Sequence, residues 1–347
     1  MCQYSSEDGF ANDWHFVHLG CRAQGGAGLV MTEASAVLPE GRISPDDLGI
    51  WKDAHIPALE RIARFIHAQG ARAGVQLAHA GRKASMHSPF AGEGLVSPAA
   101  GGWQPVGPSA VAFGPGYGKP QELDQAGIDA IVEGFRQAAR RAHKCGFDVV
   151  EIHAAHGYLL HEFLSPLANR RTDGYGGSFA HRARLMLEVA GAVRAEWPEH
   201  LPLLVRISAT DWVEGGWNAD ESVELARLLR GMGVDLVDVS SGGQSPDAKI
   251  PAAPGFQVKF AARIRREAGI ATAAVGLITE PAQANGIIER AEADMVLLAR
   301  EMLRDPYWPL HAAAALGEEM SWPKQYLRAA PQHSPARVLV ERPGGEV

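Results

Sequence analysis

The sequence predicts an α/β protein, a (β/α)8 barrel of the TIM type whose first strand is truncated at the N-terminus. Short runs rich in Val, Leu and Ile alternate with amphipathic stretches of helix length along the whole chain. Strict alternation of this kind demands a parallel sheet with right-handed crossovers. Eight expected helices in 347 residues favour a closed barrel over an open, doubly wound sheet. Only residues 1–12, beginning Met1, Cys2, Gln3 and Tyr4, precede the first helical pattern, which leaves little chain for a complete first strand.

In chain order, a helix is expected over 13–24, a strand over 28–33 and a helix over 53–69. A strand over 72–77 leads through a long connection to a helix over 124–144, which Gly146 closes. The run from Phe147 to Ile152 is too short for an ordinary helix and rich in Val and Ile, so it reads as a buried parallel strand continuing to His153. A helix over 181–196, a strand over 203–207, a helix over 220–232 and a strand over 235–239 follow. A helix over 256–267, a strand over 271–275, a shorter helix over 281–290, a strand over 295–298 and a helix over 306–316 complete the alternation. The connections 79–123 and 156–180 are long enough to be lids or binding loops, and both follow strands.

Composition narrows the function classes. The chain is 46% hydrophobic and 21% charged, values that allow a sizeable core, and its net charge of -7 comes without a basic run. Nucleic acid and an anionic membrane surface are therefore unexpected partners. Cys2, Cys21 and Cys145 form no CxxC pair, so neither a disulfide framework nor a structural metal site is indicated, and a cytoplasmic location fits. No apolar run reaches the length of a membrane span, and the start has no signal-peptide pattern. One domain is expected over 1–328, with a loose Pro- and Gly-rich tail over 329–347.

The sharpest chemical signal is His153, His156 and Tyr158, standing where a buried strand leaves the sheet. Ligands of α/β folds bind beyond the carboxyl ends of parallel strands, and two imidazoles and a phenol there can hold a carbonyl oxygen and supply a proton. The plainer alternative is that the histidines satisfy loop carbonyls. A metal reading could draw on Glu151 and Asp238, but no further Asp or His ligand ends another strand, so no metal is expected. Arg206 lies in a strand core and needs an anion, a polarised oxygen or an acidic partner. Gln76 and Ala34 occupy matching places on their strands, and an inward amide suits a heterocycle edge. Gly276, Ala299 and Arg300 follow the last two strands, where barrels recurrently hold phosphate.

These residues resemble a known family. MCQY at 1–4, TEA at 32–34, QLAHAGRKA at 76–84, EIHAAHGYLLHEFLSPLANRRTDGYGGS at 151–178, VGLI at 275–278 and LLAREMLRDP at 297–306 are similar to the Old Yellow Enzyme family, in its thermophilic-like or xenobiotic reductase branch. The resemblance implies a barrel with non-covalent FMN, reduced by NADPH or NADH, that passes hydride to an electron-poor alkene carrying a carbonyl or nitro group. By position, His153 and His156 would hold the substrate oxygen and Tyr158 would protonate Cα. Cys2 would lie against the flavin and Tyr4 would touch the substrate. Ala34 and Gln76 would meet the flavin edge, Arg206 its N1/O2 side, and Gly276, Ala299 and Arg300 its phosphate. Arg328 could reach a neighbouring subunit's site in a homo-oligomer, a dimer or tetramer. The family has a strand and hairpin ahead of MCQY, so here Cys2 and Tyr4 would hang on a frayed terminus. Two alternatives stand beside this reading: a truncated, FMN-free barrel without catalysis, and a phosphate-binding barrel lyase or isomerase.

Overall fold

A computed structural model describes residues 1–330. Within it, α1 (Asp13–Gln24) precedes β1 (Leu29–Ala36), α2 (Ile56–Ala68) and β2 (Arg72–Ala78). The long connection that follows carries two short strands, β3 (Val106–Gly107) and β4 (Gln121–Glu122), paired with each other. Then come α3 (Gln125–Lys144), β5 (Val149–Ala154), α4 (Leu159–Leu164), α5 (Phe179–Glu196), β6 (Leu203–Ser208), α6 (Ala219–Gly231) and β7 (Leu236–Ser240). The chain continues through α7 (Val258–Ala268), β8 (Ala271–Ala274), α8 (Pro281–Glu289), β9 (Met295–Val296), α9 (Arg300–Arg304) and α10 (Trp308–Leu316).

Seven strands form one parallel sheet in the order β1-β2-β5-β6-β7-β8-β9, the (β/α)8 architecture expected from the alternation. Successive strand residues serve opposite faces. Val150, Ile152, Val205, Ile207, Val237 and Val239 pack outward into the large core shared with the helices. Val149, Leu204, Leu236 and Ala273 instead form a second cluster, against which Leu29 and Met31 of β1 and Met295 of β9 pack. Side chains from both edges of the sheet meet there, so the sheet curls around an apolar plug. One pleat further along the same faces stand Gln76, Glu151, Arg206 and Asp238, and beyond them His153, Ser208 and Ser240. Polarity thus rises toward the carboxyl ends of the strands.

Element boundaries move for local reasons. Phe147 and Asp148 lie outside β5, which begins at Val149; Asp148 instead receives the Ala73 N–H. The first turn of the expected 53–69 helix is a 3-10 turn, with Pro57 in the first turn of α2. Ser178 caps α5 by accepting the His181 N–H, which starts that helix two residues early. The loop expected over 156–180 holds α4, and the segment after β9 holds α9. β1 runs on to Ala36 through a register shift between Met31 and Ala34. The expected tail lies outside the described residues from 331 onward, while Ala330 is buried. Among the described residues no helix is long and apolar enough to cross a membrane.

Candidate active site

β5 delivers His153 to the end of the sheet, and a tight turn follows in which His156 takes φ 59° and Gly157 φ 72°. Left-handed backbone at a bulky residue is uncommon and is held only by surrounding structure. Here the His156 N–H donates to Ser208 Oγ at 2.9 Å, and Lys83 Nζ donates to the His156 carbonyl at 2.7 Å and to the Gly243 carbonyl at 2.5 Å. The Gly157 N–H donates to His161 Nδ1 at 2.9 Å. The remote Nε2 of His161 sits 2.9 Å from Asp211 Oδ1, and Asp211 also accepts from Ser165 Oγ and the Trp217 N–H. Burial pushes the Asp211 carboxyl up, but His161 and these donors outweigh it and hold it low. The turn is therefore fixed from three sides.

That turn sets the histidines. His153 Nδ1 accepts the Ala155 N–H at 3.2 Å, so its ring proton sits on Nε2. His156 Nε2 lies 2.7 Å from Ser240 Oγ, and the nitrogens facing each other, His153 Nε2 and His156 Nδ1, are 3.4 Å apart. Burial first, then Arg206, holds both rings well below the usual imidazole range, so both are neutral. Tyr158 packs edge-on to His153 with ring centroids 5.1 Å apart, and burial keeps its phenol protonated. The site thus presents two neutral imidazoles held in place and one weak acid.

The remaining expected residues fall into two groups. Ala34 shares a small cleft with Tyr158, lined also by Ala36, Ile43 and Asp47. Gln76 donates to Glu151 Oε1 at 2.6 Å, and Arg206 Nε lies 3.1 Å from Asp238 Oδ2, so the acidic partner open in the sequence is present. Cys2 and Tyr4 do not hang free. The Gln3 N–H donates to Glu33 Oε1 at 3.1 Å, the Ser6 N–H to the Asp46 carbonyl at 2.8 Å, and Tyr4 stacks edge-on against Phe90. The frayed terminus expected from the sequence is corrected by these bonds. Burial, with Asp47 and Glu33 nearby, keeps Cys2 a thiol.

A second cleft is lined by Gly276, Leu277, Ala299 and Arg300, at the ends of β8 and β9. Gly276 holds φ 123°, and a Cβ there would lie 2.7 Å from Gln257 Nε2 and 3.1 Å from Phe256 Cε1. The backbone is bare at this point because no side chain fits. Arg328 lies in the exposed 3-10 turn Lys324–Ala329 at the far end of the described chain.

Residues 1–319 match the family model of the NADH:flavin oxidoreductase / NADH oxidase family. The chain belongs to that family. It is 47% identical over 331 residues to an NADPH dehydrogenase of Listeria innocua, covering 95% of this chain and 93% of the relative. Among solved structures it is similar to morphinone reductase in complex with tetrahydroNAD, with TM-score 0.75, 28% identity, and 93% and 87% of the two chains covered. It is also similar to a 2-naphthoyl-CoA reductase, with TM-score 0.81 and 27% identity over 92% of this chain. This chain spans about half, 49%, of that reductase. As a member of the Old Yellow Enzyme group, the protein is an FMN-dependent NAD(P)H oxidoreductase. The residues present suit FMN: a bare-backbone cleft with Arg300 at its edge fits a phosphate, and the amide and guanidinium of Gln76 and Arg206 offer polar partners for a flavin edge. The match selects the flavin reading over the sugar-phosphate lyase or isomerase.

Four contributors escaped the sequence reading. Lys83 and the His161–Asp211 pair act through backbone groups of the turn, which no motif displays. Ser240 and the Glu151–Asp238 contact were accessible in principle, since 151 and 153, and 238 and 240, alternate onto one face.

Proposed function

We propose that the protein is an ene-reductase of α,β-unsaturated carbonyl or nitro compounds, electron-poor small molecules. The observation that carries this is the convergence of His153 Nε2 and His156 Nδ1 to 3.4 Å beside Tyr158. Bound FMN supplies the hydride, taken from NADPH or NADH and passed to the alkene Cβ. His153 and His156 donate to the carbonyl or nitro oxygen, where negative charge grows as Cβ is reduced, so they stabilise the transition state more than the ground state. Tyr158 then delivers a proton to Cα; a phenol is a fully protonated acid at neutral pH. Gln76, Ala34 and Arg206 would hold the flavin ring, with the Arg206 guanidinium offsetting the negative charge of the reduced form. Gly276, Ala299 and Arg300 would hold the phosphate, Cys2 would lie against the ring and Tyr4 would touch the substrate. Arg328 completes the site of a neighbouring subunit in a homo-oligomer.

The test is anaerobic turnover of the FMN-loaded protein with NADPH or NADH and 2-cyclohexenone or N-methylmaleimide. Consumption of nicotinamide in step with alkane product is expected. Flavin reduction without product from any such alkene would overturn the ene-reductase reading while leaving the oxidoreductase intact.

A further inference from the structure

In the barrel interior, Glu151 of β5 and Asp238 of β7 lie on either side of Arg206 of β6, one pleat below the histidines. Glu151 is 1% exposed and Asp238 0%. Two ionised carboxylates in a dry core, with one partly exposed guanidinium beside them, would leave a net negative charge there, which is costly. The hydrogen-bond count points the same way. Glu151 Oε1 takes the Gln76 amide, but if both acids are ionised Glu151 Oε2 and Asp238 Oδ1 have no donor, and Asp238 Oδ2 has only the ion-pair contact with Arg206. The two carboxyls are in hydrogen-bonding contact with each other. One proton on Glu151 turns an orphaned acceptor into a donor to Asp238 and leaves Asp238 as the single anion for Arg206 Nε at 3.1 Å.

We propose that Glu151 and Asp238 hold one proton between them, and that this singly charged pair orients Arg206 and sets the charge it presents to the flavin. Glu151 and Asp238 are positioning residues here. The proposal rests on the reading of Arg206 as a flavin partner. The groups facing Glu151 are few: Arg206 from β6, Asp238 from β7 and the neutral Gln76 from β2, while Ala273 of β8, in register with Asp238, carries no charge. Burial first, then Asp238, pushes Glu151 up to about 8, with Arg206 opposing. At neutral pH the trio of Arg206, Glu151 and Asp238 is therefore electrically balanced, and above that range it becomes negative.

The balance is testable because glutamine mimics the protonated acid. With the proton shared, Glu151→Gln leaves the charge beneath the ring unchanged, so the midpoint potential of bound FMN at neutral pH stays where it is in the wild type. The double variant Glu151→Gln/Asp238→Asn removes the remaining negative charge. It should favour reduced over oxidised FMN by about tenfold, about 30 mV for a two-electron couple. In the wild type the potential should fall with an added inflection on the alkaline side that Glu151→Gln lacks. An upward shift in Glu151→Gln alone would mean both acids are ionised, and would overturn the proposal. Unchanged potentials in both variants would show that the pair does not reach the flavin, and would overturn it as well. A second measurement needs neither altered residue to fold. Infrared spectra of the apoprotein in the Glu162→Gln background, which removes the other carboxyl pushed as high, should show a protonated-acid carbonyl band that disappears on raising the pH through about 8. Its absence refutes the shared proton even if flavin binds normally. Its presence in a protein that binds no FMN would instead refute the flavin reading alone.

Discussion

Ser240 Oγ lies 2.7 Å from His156 Nε2, on the side of the ring turned away from His153. A Ser240 hydroxyl that donates into Nε2 places the ring proton on Nδ1, whereas one turned to Gln257 Oε1 at 3.4 Å accepts from Nε2 instead. With the Ala155 N–H holding His153 Nδ1 as an acceptor, the first arrangement leaves each imidazole one N–H directed at the space between the rings, and an oxygen bound there favours it. Ser240→Ala removes only the orienting hydroxyl. It should weaken binding of a simple phenol at the histidine pair by about tenfold, the worth of roughly one hydrogen bond. Titration of the phenol–flavin charge-transfer band reads this directly, and an unaltered dissociation constant would remove Ser240 from the tautomer argument.

Tyr158→Phe separates the two half-reactions. The ring stays against His153, so packing is preserved, but the proton source for Cα is gone. Reduction of the flavin by NAD(P)H should be nearly unchanged in stopped-flow traces. Oxidation by an alkene should slow by about 10^2 to 10^4, the usual worth of a placed acid. Equal losses in both half-reactions would assign Tyr158 to binding instead of proton transfer.

How far the sequence led differs between fold and site. The curled parallel sheet was legible because buried parallel strands are short apolar runs and each crossover helix carries its own period. That is why the strands at 72–77, 203–207 and 235–239 lie within a residue of β2, β6 and β7. α4 escaped because its six residues, all buried, show no amphipathic period. His153, His156 and Tyr158 were legible as a motif at a strand end. What positions them was not, since Lys83, His161 and Asp211 are brought to the turn from three separate connections by contacts with backbone atoms. The tethering of Cys2 and Tyr4 was missed for a related reason, because Glu33 reads as a strand residue and acts through the Gln3 N–H.

Glu162 gives a pH signature of its own. Its side chain is fully buried, accepts the Arg82 N–H at 2.8 Å through Oε1, and has no donor at Oε2. Burial pushes it from 4.5 up to about 8, with Arg82 pulling the other way. Between those values the folded protein binds a proton that the unfolded chain does not, so this residue's contribution to stability falls as pH rises through the window. Glu162→Gln cannot titrate. Its urea midpoint relative to wild type should climb between the lower and upper ends of that window, and a constant difference would show that Glu162 is already ionised in the fold.

Gly276 tests the phosphate cleft without touching the catalytic groups. At φ 123° a side chain is strained by about 1–3 kcal/mol, and the Cβ of alanine would also press on Gln257 Nε2 at 2.7 Å. Gln257 is anchored, donating to the Val275 carbonyl at 2.9 Å and accepting from Ser241 Oγ at 2.5 Å, so it yields poorly. The loop must move instead, and with it the backbone facing Ala299 and Arg300 across the cleft. Gly276→Ala should therefore raise the FMN dissociation constant at least tenfold, by fluorescence titration of the apoprotein, at the cost of about 1.4 kcal/mol of binding. Riboflavin, which has no phosphate, should lose little of its already weaker affinity. Equal losses for both ligands would place the damage at the ring, and a full affinity for FMN would mean that its phosphate sits elsewhere.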